Sequence, residues 1–160
     1  MRCQRGFSLL ELVVTISVIG IVSAMAAPVL GTVAGRNKAA VGERMVADHL
    51  RAARMKAVSR NARVRVVFDC PTSGAMRTLV VTGNAAIDNA ADRCRTDQPN
   101  DGPATWLPAD VSVVNGRAIE FDGRGVATPI GASAPISLRV THGVTQRTVV
   151  VTGAGRVSGS

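Results

Sequence analysis

Gly6-Phe7-Ser8-Leu9-Leu10-Glu11-Leu12-Val13-Val14-Thr15-Ile16-Ser17-Val18-Ile19-Gly20-Ile21-Val22 is the stretch that decides how this chain is read. From Leu12 to Gly35 no residue carries a charge. As a helix that segment spans about 36 Å at ~1.5 Å per residue, enough to cross a hydrocarbon core of about 30 Å. Arg2 and Arg5 stand before it. Basic residues stay on the cytoplasmic side, so the carboxyl-terminal bulk is expected across the membrane. An ordinary secretory signal offers the same outline, with Ala24-Met25-Ala26 as a small-x-small cleavage site. A plain membrane anchor offers it too.

Glu11 separates these readings. A carboxylate at full membrane depth costs at least ~2.5 kcal/mol, and a shallow one still carries a penalty. Neither a signal peptide nor a plain anchor has a use for it. An acid so placed marks a functional site whose partner has to be found. Gly6-Phe7-Ser8-Leu9-Leu10-Glu11, behind a short basic leader and ahead of a long apolar run, resembles the processing motif of type IV pilins and type II secretion pseudopilins. Gly6, Phe7 and Glu11 match the family pattern, and Pro28 falls where many members carry a helix-kinking proline.

The resemblance implies a processing route. A prepilin peptidase cuts between Gly6 and Phe7 and methylates the new amino terminus at Phe7. Glu11, about one turn along the helix, pairs with the amino terminus of a neighbouring subunit. Two buried charges that cancel are far less unfavourable than two unpaired ones, so the pair sets the axial register of subunits entering a fibre. The implied partners are other pilin or pseudopilin subunits, the prepilin peptidase and an inner-membrane assembly platform. The implied location is the inner membrane, single-pass with a periplasmic head, followed by incorporation into a pilus or pseudopilus.

The remaining chain supplies the head. Pro28 and Gly31 are expected to kink or locally melt the helix. Helical spacing resumes after Asn37, where Val46, Leu50, Ala53 and Ala57 form one apolar face. The period then becomes two: Val64, Val66 and Phe68 alternate with Arg63 and Arg65. Further strands are expected at 76–82, 111–114, 117–121, 125–128, 136–141 and 146–152, with a hairpin signal at Asp122-Gly123. Residues 83–110, rich in Gly, Asn, Asp, Ala and Pro, read as a long variable loop. The expected domains are a leader at 1–6, a transmembrane assembly helix at 7–35, an amphipathic helix at 36–61 and a β-rich head at 62–160. The fold class is α+β: a long amino-terminal helix packed on an antiparallel β-sheet head. Residues 118–125 and the ending 149–157 resemble the closing strands of the GspH/FimT subgroup of this family.

Composition narrows the function. Aromatic residues are 2% of the 160, with one Trp and no Tyr, which argues against a stacking surface for single strands. The formal charge is +8. Cys3, Cys70 and Cys94 are an odd set. Removal of the leader discards Cys3 and leaves Cys70 and Cys94 as an even pair in a compartment where disulfides persist, with two free thiols as the alternative. No catalytic constellation appears, and His49 and His142 are too far apart in sequence to suggest a metal site. No enzyme activity, cofactor or metal is expected.

One alternative function comes from the same resemblance. Some FimT-type minor pilins bind DNA for uptake through a carboxyl-terminal Gly-Arg-x-Arg stretch. Gly155-Arg156-Val157 matches its start, but Ser158 stands where the second arginine belongs. Arg117, Arg124, Arg139, Arg147 and Arg156 are the candidates for a basic face contacting phosphate.

Overall fold

The computed structural model describes residues 8–160, the side chains of 25–30 excepted. It divides into two compact units after Gly35. One helix, α1 (Leu9–Arg60), is assigned across that boundary. The local melting expected at Pro28 and Gly31 is not seen. A proline removes one donor and crowds the preceding turn, but Ala24, Ala26, Ala27 and Ala34 around it favour helix.

In the second unit α1 is followed by nine strands. These are β1 (Val64–Phe68), β2 (Ala75–Val80), β3 (Ala104–Trp106), β4 (Val111–Val114), β5 (Ile119–Phe121), β6 (Ala127–Pro129), β7 (Ile136–His142), β8 (Thr145–Val151) and β9 (Val157–Gly159). A short helix, α2 (Ala85–Asp88), lies between β2 and β3. The strands form two antiparallel sheets, ordered β3-β2-β1-β5-β6 and β4-β7-β8-β9.

Alternation builds the core. Val64, Val66 and Phe68 of β1, Ile119 and Phe121 of β5, Leu138 and Val140 of β7, and Val149 and Val151 of β8 are all buried. Against them α1 lays Val46, Leu50, Ala53 and Ala57 at steps of four, three and four. The small alanines at 53 and 57 let the sheets come close to the helix, while Leu50 fills the space between. Truncation of such a leucine to alanine costs roughly 2–5 kcal/mol in well-packed cores.

Two turns of the same design meet α1. In the first, Asp122 N–H donates to Val126 O (3.1 Å) and Gly125 N–H to Asp122 O (2.8 Å). In the second, Thr152 N–H donates to Arg156 O (3.0 Å) and Gly155 N–H to Thr152 O (2.8 Å). Gly125 and Gly155 have φ of 81° and 75°, a region that glycine alone enters freely. Ala127 N–H donates to Gly153 O and ties the turns together. Arg54 of α1 clamps both, its Nε donating to Gly125 O (3.1 Å) and its Nη2 to Ala154 O (3.3 Å).

The segment expected as a long variable loop, 83–110, carries local structure. It contains α2 and β3, and a disulfide joins Cys70 to Cys94. β3 and β9 are not among the strands expected from the sequence. β3 exists through its pairing to β2, with Ala75 opposite Trp106.

Candidate functional site

The first unit carries Glu11, the acid expected from the sequence to act in assembly. Ser8 caps α1: Glu11 N–H donates to Ser8 Oγ (3.2 Å), and Leu12 N–H donates to Ser8 O (3.2 Å). Ser8-Leu9-Leu10-Glu11 thus has the spacing of a capping box, with an acid in the first turn, where the helix dipole favours negative charge. Gly6 and Phe7, the expected cleavage residues, lie outside the described residues.

Beyond Glu11 the helix is apolar on every side. Leu9, Leu10, Leu12, Val13, Val14, Ile16, Val18, Ile19, Ile21 and Val22 are all more than half exposed. A helix that is apolar all round needs an apolar surrounding that its own chain does not supply. Thr15 Oγ1 donates to Leu12 O and Ser17 Oγ to Val13 O (both 2.8 Å), so the hydroxyls within the stretch are satisfied internally. The described helical side chains from Leu9 to Ala24 cover about 24 Å, short of the ~30 Å of a bilayer core. Among the described residues, no helix is long and apolar enough to cross a membrane. The span expected over 7–35 depends on side chains outside that set.

The basic set is dispersed. On β7, Ile136, Leu138 and Val140 point inward and Arg139 outward. On β8, Arg147 shares the inward parity of Val149 and Val151 and sits opposite Val140. Arg139 and Arg147 therefore lie on opposite faces of one sheet. Arg147 points toward the buried Glu43 of α1 (4.0 Å) and donates to Ser160 O (3.2 Å). Arg117 donates to Gly131 O. Arg124 pairs with Asp122 (3.3 Å) on the first of the two turns, and Arg156 sits exposed on the second. The turns that carry Arg124 and Arg156 are joined by the Ala127–Gly153 hydrogen bond and by Arg54. The parity of Arg147 with Val149 and Val151 was the sequence signal that separates it from Arg139.

Sequence reasoning missed the polar network that holds residues 83–103. Arg93 and Asp101 form a bidentate pair, Nη1 to Oδ2 at 2.6 Å and Nη2 to Oδ1 at 2.9 Å, with side chains only 6% and 2% exposed. Val80 N–H and Gln98 N–H donate to the same carboxylate, and Arg93 also donates to Val80 O and Thr96 O. Burial works against the Asp101 charge, but Arg93 and the backbone donors outweigh it and hold the carboxyl below its ordinary range. Asp88 behaves alike: burial is overcome by the Thr82 and Gly83 N–H groups, the Thr82 hydroxyl and the Arg65 charge. Arg65 binds Glu120 through Nε and Nη2 and reaches Asp88 O (2.7 Å). Arg77 pairs with Asp97 and donates to Cys94 O and Gly102 O.

His49 of α1 lies within hydrogen-bond distance of Thr78 Oγ1 (2.9 Å), beside a small open cleft of about 180 Å³ also lined by Lys56, Gly102 and Pro103. Burial, with help from the Lys56 charge, lowers its pKa below the ordinary histidine value. Among the described residues no group of His, Cys, Asp and Glu is arranged to hold a metal ion.

Comparison with known proteins follows this division. Residues 1–27 match the model of the prokaryotic N-terminal methylation motif, and residues 44–155 match that of type II transport protein GspH. A pilin-like protein, PilA1 of Thermus thermophilus, is 29% identical over 161 residues, covering 96% of both chains. The type IV minor pilin FimU of Pseudomonas aeruginosa superposes with a TM-score of 0.51 at 11% identity, over 74% of this chain and 90% of that one. The minor pseudopilin EpsH of the Vibrio cholerae type 2 secretion system gives 0.51 at 14% identity, over 77% and 96%. At these identities the structural matches speak to fold: a long helix packed on antiparallel sheets.

Proposed function

The chain belongs to the type II transport protein GspH family, and from that premise we propose that it is a minor pilin or pseudopilin, a structural subunit of a type IV pilus or type II secretion pseudopilus that acts without catalysis. The observation that carries this is the first unit itself. Ten large apolar side chains are exposed around one helix, with a single acid, Glu11, in its first turn. That surface is unfavourable in water and suited to a bilayer or to a bundle of like helices.

In this reading residues 1–6 are a leader, 7–35 the membrane and assembly helix, 36–61 its amphipathic continuation and 62–160 a periplasmic head. Prepilin peptidase cuts between Gly6 and Phe7 and methylates Phe7. Glu11 then pairs with the free amine of a neighbouring subunit as the assembly platform draws the chain from the inner membrane into the fibre. DNA uptake gains no support from the basic set, since Arg147 is turned inward toward Glu43.

Two measurements test the proposal. Intact mass and amino-terminal sequencing of the mature protein should give methyl-Phe7; a start at Ala27 would mean a conventional signal peptide and end the reading. Glu11→Ala should leave cleavage near normal and reduce incorporation into fibres by about a hundredfold or more, the scale of losing one partner of a buried ion pair. Normal incorporation of that variant would remove the role given to Glu11.

A further inference from the structure

The two ends of the head differ in charge. Its strands pair antiparallel, so their turns gather at two ends. At one end Arg60, Arg63, Arg124 and Arg156 are all exposed. The other end is where the chain enters the unit, at Arg36. There Lys38 pairs with Asp110 just before β4 (3.8 Å), and a methyl built on Gly42 would lie 2.6 Å from Val111 Cγ1. Val111 lies opposite His142, which brings the β7–β8 turn to the same end. β3 and the β1–β2 turn arrive there too. Trp106 lies opposite Ala75, Leu107 N–H donates to Gly74 O (2.9 Å), and an open cleft of about 340 Å³ is lined by Trp106, Gly74 and Val111.

The tips at this end are uncharged. Gly143-Val144 turns β7 into β8, with His142 opposite Thr145, and Val144 is 99% exposed. Trp106-Leu107-Pro108-Ala109 is apolar throughout, and Trp106, the one tryptophan of the chain, is 56% exposed. Pro71-Thr72-Ser73-Gly74 carries no charge. The acids of these loops are engaged: Asp110 with Lys38, and Asp69 accepting from Gly74 N–H (2.9 Å). A valine held out at a hairpin tip serves no packing within the chain. An exposed indole beside it suits the boundary between acyl chains and headgroups, where one face is apolar and the other wet.

The join identifies what these tips meet. Arg36 is bonded to Gly35, which ends the segment read as the membrane helix. The tethered end of the head therefore stays within reach of the headgroups. Arg36 is exposed at the join and carries the charge that headgroup phosphates attract. The opposite, arginine-bearing end has no such tether.

We propose that the tethered end of the head is a lipid contact: while the chain is in the membrane, Trp106 and Val144 enter the headgroup–acyl boundary of the phospholipid bilayer, with Arg36 at the level of the phosphates. The inference rests on the membrane reading of 7–35 and adds a second membrane contact, made by the head. That contact has to be broken when the chain is drawn into the fibre.

The single tryptophan makes the test direct. The full-length chain is reconstituted into vesicles of phosphatidylcholine and phosphatidylglycerol whose acyl chains carry bromine, either close to the headgroup or near the chain end. Tryptophan emission is compared with that in unbrominated vesicles. Trp106 should be quenched by the shallow bromine and little by the deep one. Val144→Asp should reduce that quenching about fivefold, the scale of withdrawing one half-buried valine, whereas Val144→Leu keeps it. The full exposure of Val144 leaves the fold indifferent to either change. Two reporters in a Trp106→Phe background complete the test. Val18→Trp reports the helix in the bilayer, and Met55→Trp reports the head about 25 Å along α1 from Lys38. Quenching is expected at 18 by the deep bromine and is not expected at 55. Quenching at 18 with none at 106 would refute the lipid contact and leave the membrane helix standing. Equal quenching at 106 and 55 would mean that the head lies along the surface, and would overturn seating by the tethered end. Indifference of Trp106 to Val144→Asp would overturn it as well. No quenching at 18 would refute the membrane reading itself and the contact that rests on it.

Discussion

The first half of α1 and the segment 83–103 invert the usual placement of side chains in opposite ways. Along Leu9–Val22 large apolar groups face outward with nothing of their own chain over them. In 83–103 charged groups face inward: Arg93 and Asp101 are almost fully buried, and Asp88 is 7% exposed. The first arrangement is stable only if something outside the chain covers it. The second is stable by itself, because every buried polar atom among the described side chains has a partner. One region calls for a covering surface from outside the chain, and the other does not.

Breaking the buried pair should give the largest effect. Arg93→Met leaves Asp101 buried without its cation. The expected loss is about 3–5 kcal/mol, the range for stranding one buried charge. Replacing both, Arg93→Met with Asp101→Leu, should recover much of it, since desolvation of two charges offsets much of their attraction. Denaturant titration of the detergent-solubilised chain, followed by the fluorescence of its one tryptophan, Trp106, would measure both. If the double variant were as unstable as the single one, the backbone bonds to Asp101 would matter more than the ion pair.

The reverse substitution belongs in the helix. Val18→Lys places a charge where the described surface is apolar. It should weaken membrane insertion by roughly 2.5–3.5 kcal/mol on insertion scales, read as loss from the membrane fraction, while the folding of the head stays unchanged. Loss of head stability in that variant would contradict the independence of the two units.

How far the sequence carries differs between these regions for one physical reason. The amino-terminal motif is local: Gly6, Phe7, Ser8 and Glu11 lie within one short segment, and the apolar run after them needs no fold to be recognised. The alternation of Val64, Val66 and Phe68 is equally local. Arg93 and Asp101, by contrast, sit in a stretch whose Gly, Asn, Asp and Ala content reads as loop. Their pairing depends on β2, where Val80 supplies both a donor and an acceptor. β3 depends on β2 in the same way. The basic set is a different case: charge alone groups the five arginines, whereas strand alternation places Arg139 and Arg147 on opposite faces of one sheet.

Acid should act on the head in two stages. His49 has a folded pKa below its ordinary value, so the folded state binds that proton more weakly than the unfolded chain. Its contribution is complete above the unfolded value of ~6.5 and is lost as pH falls through that value toward the folded pKa. Asp88 and Asp101 are also lowered. Their contribution is complete above an unfolded value of ~3.9 and is lost as pH falls further toward their folded values. His49→Gln should remove the first stage and leave the second. Stability that stays flat from neutrality to below the ordinary histidine range would contradict the half-buried position of His49 against Thr78.

The smallest effect should come from the nearest control. Arg95 lies two residues beyond Arg93 and next to Cys94, in the same segment and with the same charge. Its side chain is exposed. Arg95→Ala should change stability by no more than about 0.5 kcal/mol, as for ordinary surface positions. The contrast with Arg93→Met holds charge type and locality fixed and varies burial alone. If Arg95→Ala were as damaging as Arg93→Met, the segment would be held by its summed positive charge against the scattered acids Asp88, Asp92, Asp97 and Asp101. If the two differ as expected, the strength resides in one desolvated, fully bonded pair, and charge elsewhere on the segment is free to serve the surface.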